Sequence, residues 1–358
     1  MFSTFGHILR VTTFGESHGK AMGGVIDGFP SGIHLDEGFI LEELERRRPG
    51  CSALVTQRKE TDQVEFLSGI LDGVTLGTPI GFFIQNADAR HEDYEALKDV
   101  LRPSHADWTY QEKYGIRDAR GGGRASGRET VSRVVAGALC KIALKEIGVS
   151  IQAFVSGIGP VSISKDYKDL DLSKTWQSPV FCPDESASKE MESLLETVRQ
   201  EKDSVGGVVT CLIKGCPKGL GEPVFGKLEA SLASAMLSIG AVRGFEIGDG
   251  FGLSKMRGSK ANDAYQSQDG QIRTLTNHGG GVLGGISSGE DILLRVAFKP
   301  TPTIALPQMA VNAQGQEMVL EAKGRHDPCV AIRACKVVEA MAAITILDHY
   351  LINKSRHL

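Results

Sequence analysis

Apolar residues recur at helical spacing in three long stretches of the chain and gather into short β-type runs in five others. From Arg128 to Gly148 the positions Val131, Val134, Val135, Ala138, Leu139 and Ile142 fall on one face, with Gly148 as a stop. Ser126 stands three residues before Glu129, the spacing of a capping box at that helix start. Phe225 to Val242 repeats the pattern through Leu228, Leu232, Ala235, Met236 and Ile239, and Pro328 to Tyr350 through Ala334, Val337, Val338, Met341 and Ile344. Both read as core helices. Asp36 to Arg48 is amphipathic and ends in Arg46, Arg47 and Arg48, where cations suit the helix C-terminus. Ser188 to Lys202 is mostly charged and predicts a surface helix. Strands are predicted at Ile8 to Thr12, Gly23 to Ile26, Ile151 to Val155, Val208 to Ile213 and Ile292 to Phe298, where β-branched residues gather. No regular βαβ beat links these elements.

One self-similarity bears on architecture. Ile26-Asp-Gly28-Phe-Pro30-Ser-Gly32-Ile33 is echoed by Ile213-Lys-Gly215-Cys-Pro217-Lys-Gly219-Leu220, each after a Gly-Gly-Val strand and before an amphipathic helix. The offset, roughly 187 residues, is near half the chain, which points to a duplication within one domain; recurrence of Gly and Pro in turns is the competing account.

Composition narrows the class. With 358 residues, 41% hydrophobic and 23% charged, the chain reads as an ordinary soluble globular protein. A net charge of −4 gives no global field for nucleic acid or an anionic membrane, so any anion site is local. Met1 to Arg10 lacks the features of a secretory signal and no apolar run reaches membrane-spanning length, which predicts a cytoplasmic protein. Seven scattered cysteines without a Cys-x-x-Cys pair predict a reduced compartment and no structural zinc. Forty-three glycines against thirteen prolines, clustered beside charged residues, mark loops where backbone approaches a ligand.

Four clusters carry candidate chemistry. Gly15-Glu16-Ser17-His18-Gly19 sets an acid, a hydroxyl and an imidazole between two glycines; it is either a tight turn or a proton-handling site. Arg117-Asp118-Ala119-Arg120-Gly121-Gly122-Gly123-Arg124-Ala125-Ser126-Gly127-Arg128 runs into a helix start, where free N–H groups, glycines and guanidinium groups make an anion cradle. It is neither a P-loop nor a dinucleotide fingerprint. Arg102-Pro103-Ser104-His105-Ala106-Asp107 holds a second histidine, as compatible with structure as with catalysis. Gly324-Arg325-His326-Asp327-Pro328 sets three ionisable groups before the last helix, where Asp327 is either an N-cap or a proton carrier. His278-Gly279-Gly280-Gly281, Gly284-Gly285 and Lys299-Pro300-Thr301-Pro302-Thr303 add further loops for close approach. Together they indicate an anionic small molecule, several phosphate-sized contacts and acid–base residues.

These motifs, with Arg46-Arg47-Arg48-Pro49-Gly50, resemble the chorismate synthase family in the family's own order, over essentially the whole chain. The resemblance implies a carbon–oxygen lyase acting on phosphates. Such an enzyme converts 5-enolpyruvylshikimate-3-phosphate into chorismate by anti-1,4-elimination of phosphate and a ring hydrogen. This is the last common step of the shikimate pathway towards aromatic amino acids, and it needs reduced FMN (FMNH2) without net redox change. The implied fold is α+β: a single domain over residues 1–358, built as a β-α-β sandwich with central helices between two antiparallel sheets and pseudo-twofold symmetry, assembled as a homotetramer.

By the same resemblance His18 stands near the departing phosphate, His105 near the flavin N1 and carbonyl edge, and Asp327 takes a proton from the N5 region. Arg48, Arg102, Arg128 and Arg325 bind phosphate and carboxylates, for which the guanidinium fork is well shaped. Arg47 shares that work or touches a nicotinamide nucleotide (NADP) in members that reduce their own flavin. FMN contacts are implied at Arg124, Ala125, Ser126, Gly240, Ala241, Gly284, Lys299, Pro300, Thr301, Pro302, Thr303 and Arg325. Gly240 stands where some relatives carry an amide residue, and Ala53 where relatives carry a basic one; the second departure predicts an external flavin reductase or reductant. The alternative is a flavin-dependent oxidoreductase acting on a phosphorylated small molecule, which would consume an electron donor stoichiometrically. An RNA-binding role is disfavoured by the single Arg-Gly loop, the negative net charge and the lack of an aromatic platform.

Overall fold

The computed structural model describes residues 2–52, 54–55, 61–86, 99–119, 121–322 and 327–356. Two antiparallel five-stranded sheets carry α+β architecture. Across the first lie Thr4–Phe5, Arg10–Phe14, Ala21–Asp27, Ile80–Gln85 and Val64–Phe66; across the second lie Val161–Ser162, Ser150–Ile158, Gly207–Lys214, Ile292–Phe298 and Val242–Ile247. Ile26 pairs with Val11 on one side and Ile80 on the other, and Cys211 with Ala153 and Leu294. Ile292–Phe298 alternates buried and half-buried positions, as a strand with one face on the core should.

The Thr130–Lys145 helix packs on Arg10–Phe14 and Ala21–Asp27 of the first sheet, and the Ala331–Lys354 helix packs on Ser150–Ile158 and Gly207–Lys214 of the second. These two helices also pack along each other. At Gly137 a Cβ would stand 2.3 Å from Ala340, so their backbones meet at a separation that only glycine permits. The last helix is buried on every side from Ala331 to His349 except at Arg333, the signature of a helix inside the core. Charge is pinned in this layer: Lys141 Nζ reaches Glu43 (2.8 Å) and Glu339 (2.6 Å), and Lys336 Nζ reaches the same two carboxylates (2.6 and 2.8 Å).

Several boundaries differ from the sequence expectation. Ser126 accepts from Arg128 N and caps a short 3-10 turn, Gly127–Glu129, while Glu129 turns to Arg133 instead of closing a capping box. The α-helix itself begins at Thr130. Phe225 to Val242 is helical only over Leu228–Leu237, because Ala241 adopts φ +71° and the chain turns into Val242–Ile247. The last helix starts at Ala331 with Val330 as its N-cap, so Asp327 does not cap it. Glu185–Gln200, capped by Asp184, is not wholly on the surface: Met191 and Leu195 are buried. Strands Val64–Phe66, Ile80–Gln85 and Val242–Ile247 and the Asp107–Tyr114 helix were not anticipated.

The two similar turns have matching backbones, with Gly28, Gly32, Gly215 and Gly219 all at positive φ. Counted in chain order, the four long-paired strands of each sheet also lie in the spatial order first, second, fourth, third. No helix of the described residues is long and apolar enough to cross a membrane.

Candidate active site

The Gly15–Gly19 segment leaves the end of Arg10–Phe14 as a tight turn closed by Gly19 N to Glu16 O (3.0 Å). His18 is buried there, its Nδ1 3.0 Å from Ser17 Oγ. The glycine loop lies directly on this ring: a Cβ at Gly121 would stand 2.5 Å from His18 Cε1 and Nδ1. Ser17 N also donates to Gly123 O (3.4 Å), and Arg124 Nη2 donates to Thr13 O (3.1 Å) and Oγ1 (2.7 Å). The consecutive glycines let two loops approach closer than any side chain allows.

On the other side of Gly121 lies the second histidine. Arg102 donates through Nη2 to Gly121 O (3.5 Å) and forks onto Asp107, with Nε and Nη2 each at 2.7 Å from a carboxylate oxygen. Arg117 adds a third cationic contact at 3.4 Å. Burial opposes charge on Asp107, but hydrogen bonds from Arg102 and His105 overcome it and hold the carboxyl well below the usual carboxylate range. His105 Nδ1 is 3.1 Å from both Arg102 Nη2 and Asp107 Oδ1. Arginine only donates and a carboxylate only accepts, so this nitrogen serves one or the other: a lone pair for Arg102, or an N–H for Asp107. A cavity of about 420 Å³ opens here, lined by His105, Tyr110, Ile116, Arg117, Arg124 and the Gly121–Gly123 backbone.

A third group stands behind the turn. Asp62, buried, is shared by Arg47 Nη1 (3.3 Å) and Arg128 Nη1. Arg47 also reaches Thr130 Oγ1 (3.1 Å) and Gly127 O (2.6 Å). Arg47 O accepts from Arg333 Nε (3.1 Å), and Arg333 Nη1 donates to Asp327 Oδ2 (2.7 Å). Thr301 Oγ1 donates to Asp327 O (2.9 Å), and nearby Lys299 Nζ donates to Ser104 O (2.7 Å), next to His105. Lys299 N in turn donates to Ala241 O (2.9 Å). Burial and Arg243 lower the Lys299 pKa.

The contacts run from His18 through Gly121, Arg102 and the Ser104–His105 backbone to Lys299, along the chain to Thr301, and on through Asp327, Arg333, Arg47, Asp62, Arg128 and Asn86 back to the His18 turn. They join eight of the nineteen candidate site residues singled out in the sequence. Arg325 and His326, with Arg120 and Ala53, lie outside the described residues. Gly284 lies in a separate hairpin, Val282–Leu283 with Ile286–Ser287, whose Gly285 O accepts from Leu228 N. His278 pairs with Asp249 (2.6 Å). Arg48 keeps a partly exposed side chain 3.8 Å from Glu45. Arg47 departs most from expectation: it is 1% exposed and its donors are taken up by protein acceptors, which makes it part of the frame. Burial, then Arg333, push its guanidinium down to about 9. Sequence reasoning missed Asp62, Asn86 and Arg333. Only Arg333 left a signal, a cation on the apolar Pro328 to Tyr350 pattern.

The comparisons with known proteins name one family. The family model described as chorismate synthase matches residues 9–351. The chain is 56% identical to the chorismate synthase of Bacteroides fragilis over 358 residues, all of both chains. It is 54% identical to that of Porphyromonas gingivalis, covering 99% of this chain and 96% of the relative. A crystal structure of chorismate synthase superposes with a TM-score of 0.78 at 31% identity, covering 97% of this chain and 93% of the other. With the motifs in order along the sequence and the likeness running from end to end, the chain belongs to the chorismate synthase family of carbon–oxygen lyases.

Proposed function

We propose that the chain catalyses anti-1,4-elimination of phosphate and a ring hydrogen from 5-enolpyruvylshikimate-3-phosphate, giving chorismate. The carbon–oxygen bond breaks with its electrons on phosphate, the carbon–hydrogen electrons enter the new double bonds, and no net oxidation occurs. The observation that carries this reading is the chain of contacts joining His18, His105 and Asp327 to arginines, with a cavity at His105, Arg117 and Arg124. Reduced FMN, when bound, lends electron density to an allylic system whose hydrogen is not acidic enough for a side-chain base alone.

The residues fit such a cofactor. The cavity, about 420 Å³, lies within the usual ligand range. Tyr110 and Ile116 give it apolar wall, while His105, Arg124 and glycine backbone give it donors. Ala125 and Ser126, Gly240 and Ala241, Gly284, Lys299 to Thr303 and Arg325 complete the proposed FMN contacts. His18 holds or protonates the leaving phosphate oxygen; Arg48, Arg102, Arg128 and Arg325 bind anionic groups. His105 presents its ring to the flavin N1 and carbonyl edge, oriented at Nδ1 by Arg102 and Asp107, and Asp327, oriented by Arg333, takes up a proton at its carboxylate. Arg47 supports Arg128 through Asp62.

The same reading takes the chain as one domain, a β-α-β sandwich with an internal repeat. One contiguous core drawing on both sheets, the repeated strand order and the matched turns support it. Assembly as a homotetramer belongs to the same reading. Location in the cytoplasm and an external source of reduced flavin complete the proposal.

Mixing protein, substrate and chemically reduced FMN without oxygen should release phosphate and develop chorismate absorbance. No turnover by folded protein overturns the reading. Activity with NADPH and oxidised FMN would overturn the external reductant. His105→Ala and Asp327→Ala should each lower kcat by ~10²–10⁴-fold while FMN still binds.

A further inference from the structure

We infer that Asn86 is a positioning residue, fixing the His18 turn against Arg128. The inference rests on the proposed elimination, which assigns His18 to the leaving phosphate and Arg128 to anion binding. Asn86 directly follows the Ile80–Gln85 strand, whose Gln85 pairs with Ala21, and its own N–H donates to Lys20 O (3.2 Å). Its backbone is therefore held beside the end of the turn. From there Nδ2 donates to Glu16 O (3.1 Å) and Gly19 O (2.9 Å), the carbonyls flanking Ser17 and His18. Oδ1 accepts from Arg128 Nε (2.9 Å).

The amide can face only one way. Arginine only donates and the two carbonyls only accept, so a flipped amide would lose every bond. Arg128 is in turn oriented from two sides, Nε by Asn86 and Nη1 by Asp62. One side chain thus couples the segment bearing His18 to the plane of the guanidinium. Two groups that must meet one departing phosphate need a fixed separation, and a small misplacement at such a site is costly in rate. Serine or alanine would leave the turn carbonyls without these donors, and aspartate would set negative charge against them while keeping an acceptor for Arg128.

The variants Asn86→Asp and Asn86→Ala separate the two halves of the bridge. In the anaerobic assay, Asn86→Asp should lower kcat by ~10–100-fold with KM for substrate within about threefold of wild type. Asn86→Ala should lower kcat and also raise KM. A kcat equal to wild type in both variants, or a loss in Asn86→Asp confined to KM, overturns the inference while leaving the proposed reaction intact. The imidazole NMR signal of His18 gives a readout that does not depend on turnover. Its chemical shift should move in both variants, with secondary structure by circular dichroism unchanged; a signal identical to wild type overturns the positioning role even for an inactive protein.

Discussion

Two groups of buried charge in this molecule are built from the same unit, a carboxylate meeting two cations, and end in opposite states. In the helical layer Glu43 and Glu339 share the same two partners, Lys141 and Lys336, so two positive and two negative charges close on themselves. At the candidate site Asp62 meets Arg47 and Arg128, while Asp107 meets Arg102 and Arg117. Each of those triads sets two guanidinium groups on one carboxylate. The proton affinities follow. Burial lowers the Lys141 pKa, but Glu339 and Glu43 more than restore it, whereas burial and Arg333 pull Arg47 down to about 9 against Asp62 and Glu129. The lysine network is closed, with as many carboxylates as cations, and the arginine triads are open, with two guanidinium groups to each carboxylate.

Breaking the closed network should give the largest effect. Glu339→Gln removes one carboxylate from between two lysines in a place without water, and also weakens the acceptor for Ala153 N. Unfolding in urea should show a loss of about 3–5 kcal/mol, the usual result of leaving buried charge uncompensated. A loss below ~1 kcal/mol, the level of an exposed pair, would mean that the four charges are not acting as a closed set.

The open network should respond to an anion instead. Inorganic phosphate at 100 times its dissociation constant should stabilise the wild type by about 2.7 kcal/mol, beyond the effect of sodium chloride at equal ionic strength. Arg128→Ala should lose most of that increment, and Glu339→Gln should retain it despite its lower starting stability. Equal phosphate increments in all three proteins would erase the distinction between the two regions.

Some of this contrast was legible in the sequence. The long apolar periodicities gave the Thr130–Lys145 and Ala331–Lys354 helices, because a continuous buried face leaves a pattern that survives any tertiary arrangement. Ile292–Phe298 was read to the residue, and the Gly121–Gly123 loop was read as backbone approaching a ligand, where the structure sets Gly121 against the His18 ring. The charge partners were not legible. Arg128 finds Asn86 across 42 positions and Arg333 finds Arg47 across 286, separations at which only packing decides who meets whom. Local rules failed where a remote or lateral partner offered more: Glu129 turned to Arg133, and Asp327 to Arg333. The buried lysines were hidden for the same reason, since Lys336 looks like any polar position until Glu43 and Glu339 surround it.

Alkaline pH should pull the two regions apart, with the smallest but most diagnostic effect. Lys141 has a folded pKa above its ordinary 10.5, so its stabilising contribution is fully present below 10.5 and is lost as pH rises through the folded value. Arg47 has the reverse sign. Its folded pKa is depressed from 12.5 to about 9, so the unfolded chain holds the proton more tightly between those values, and the cost of burying Arg47 is relieved as pH rises above about 9. One proton changes stability by no more than about 1.4 kcal/mol per pH unit. Urea unfolding between pH 8 and 11 should therefore show the advantage of wild type over Lys141→Met holding steady and then shrinking towards pH 11. The difference between wild type and Arg47→Met should move in favour of wild type above pH 9. Differences that drift in the same direction would show that both networks answer to one general charge effect, and that the closed and open arrangements do not differ in kind.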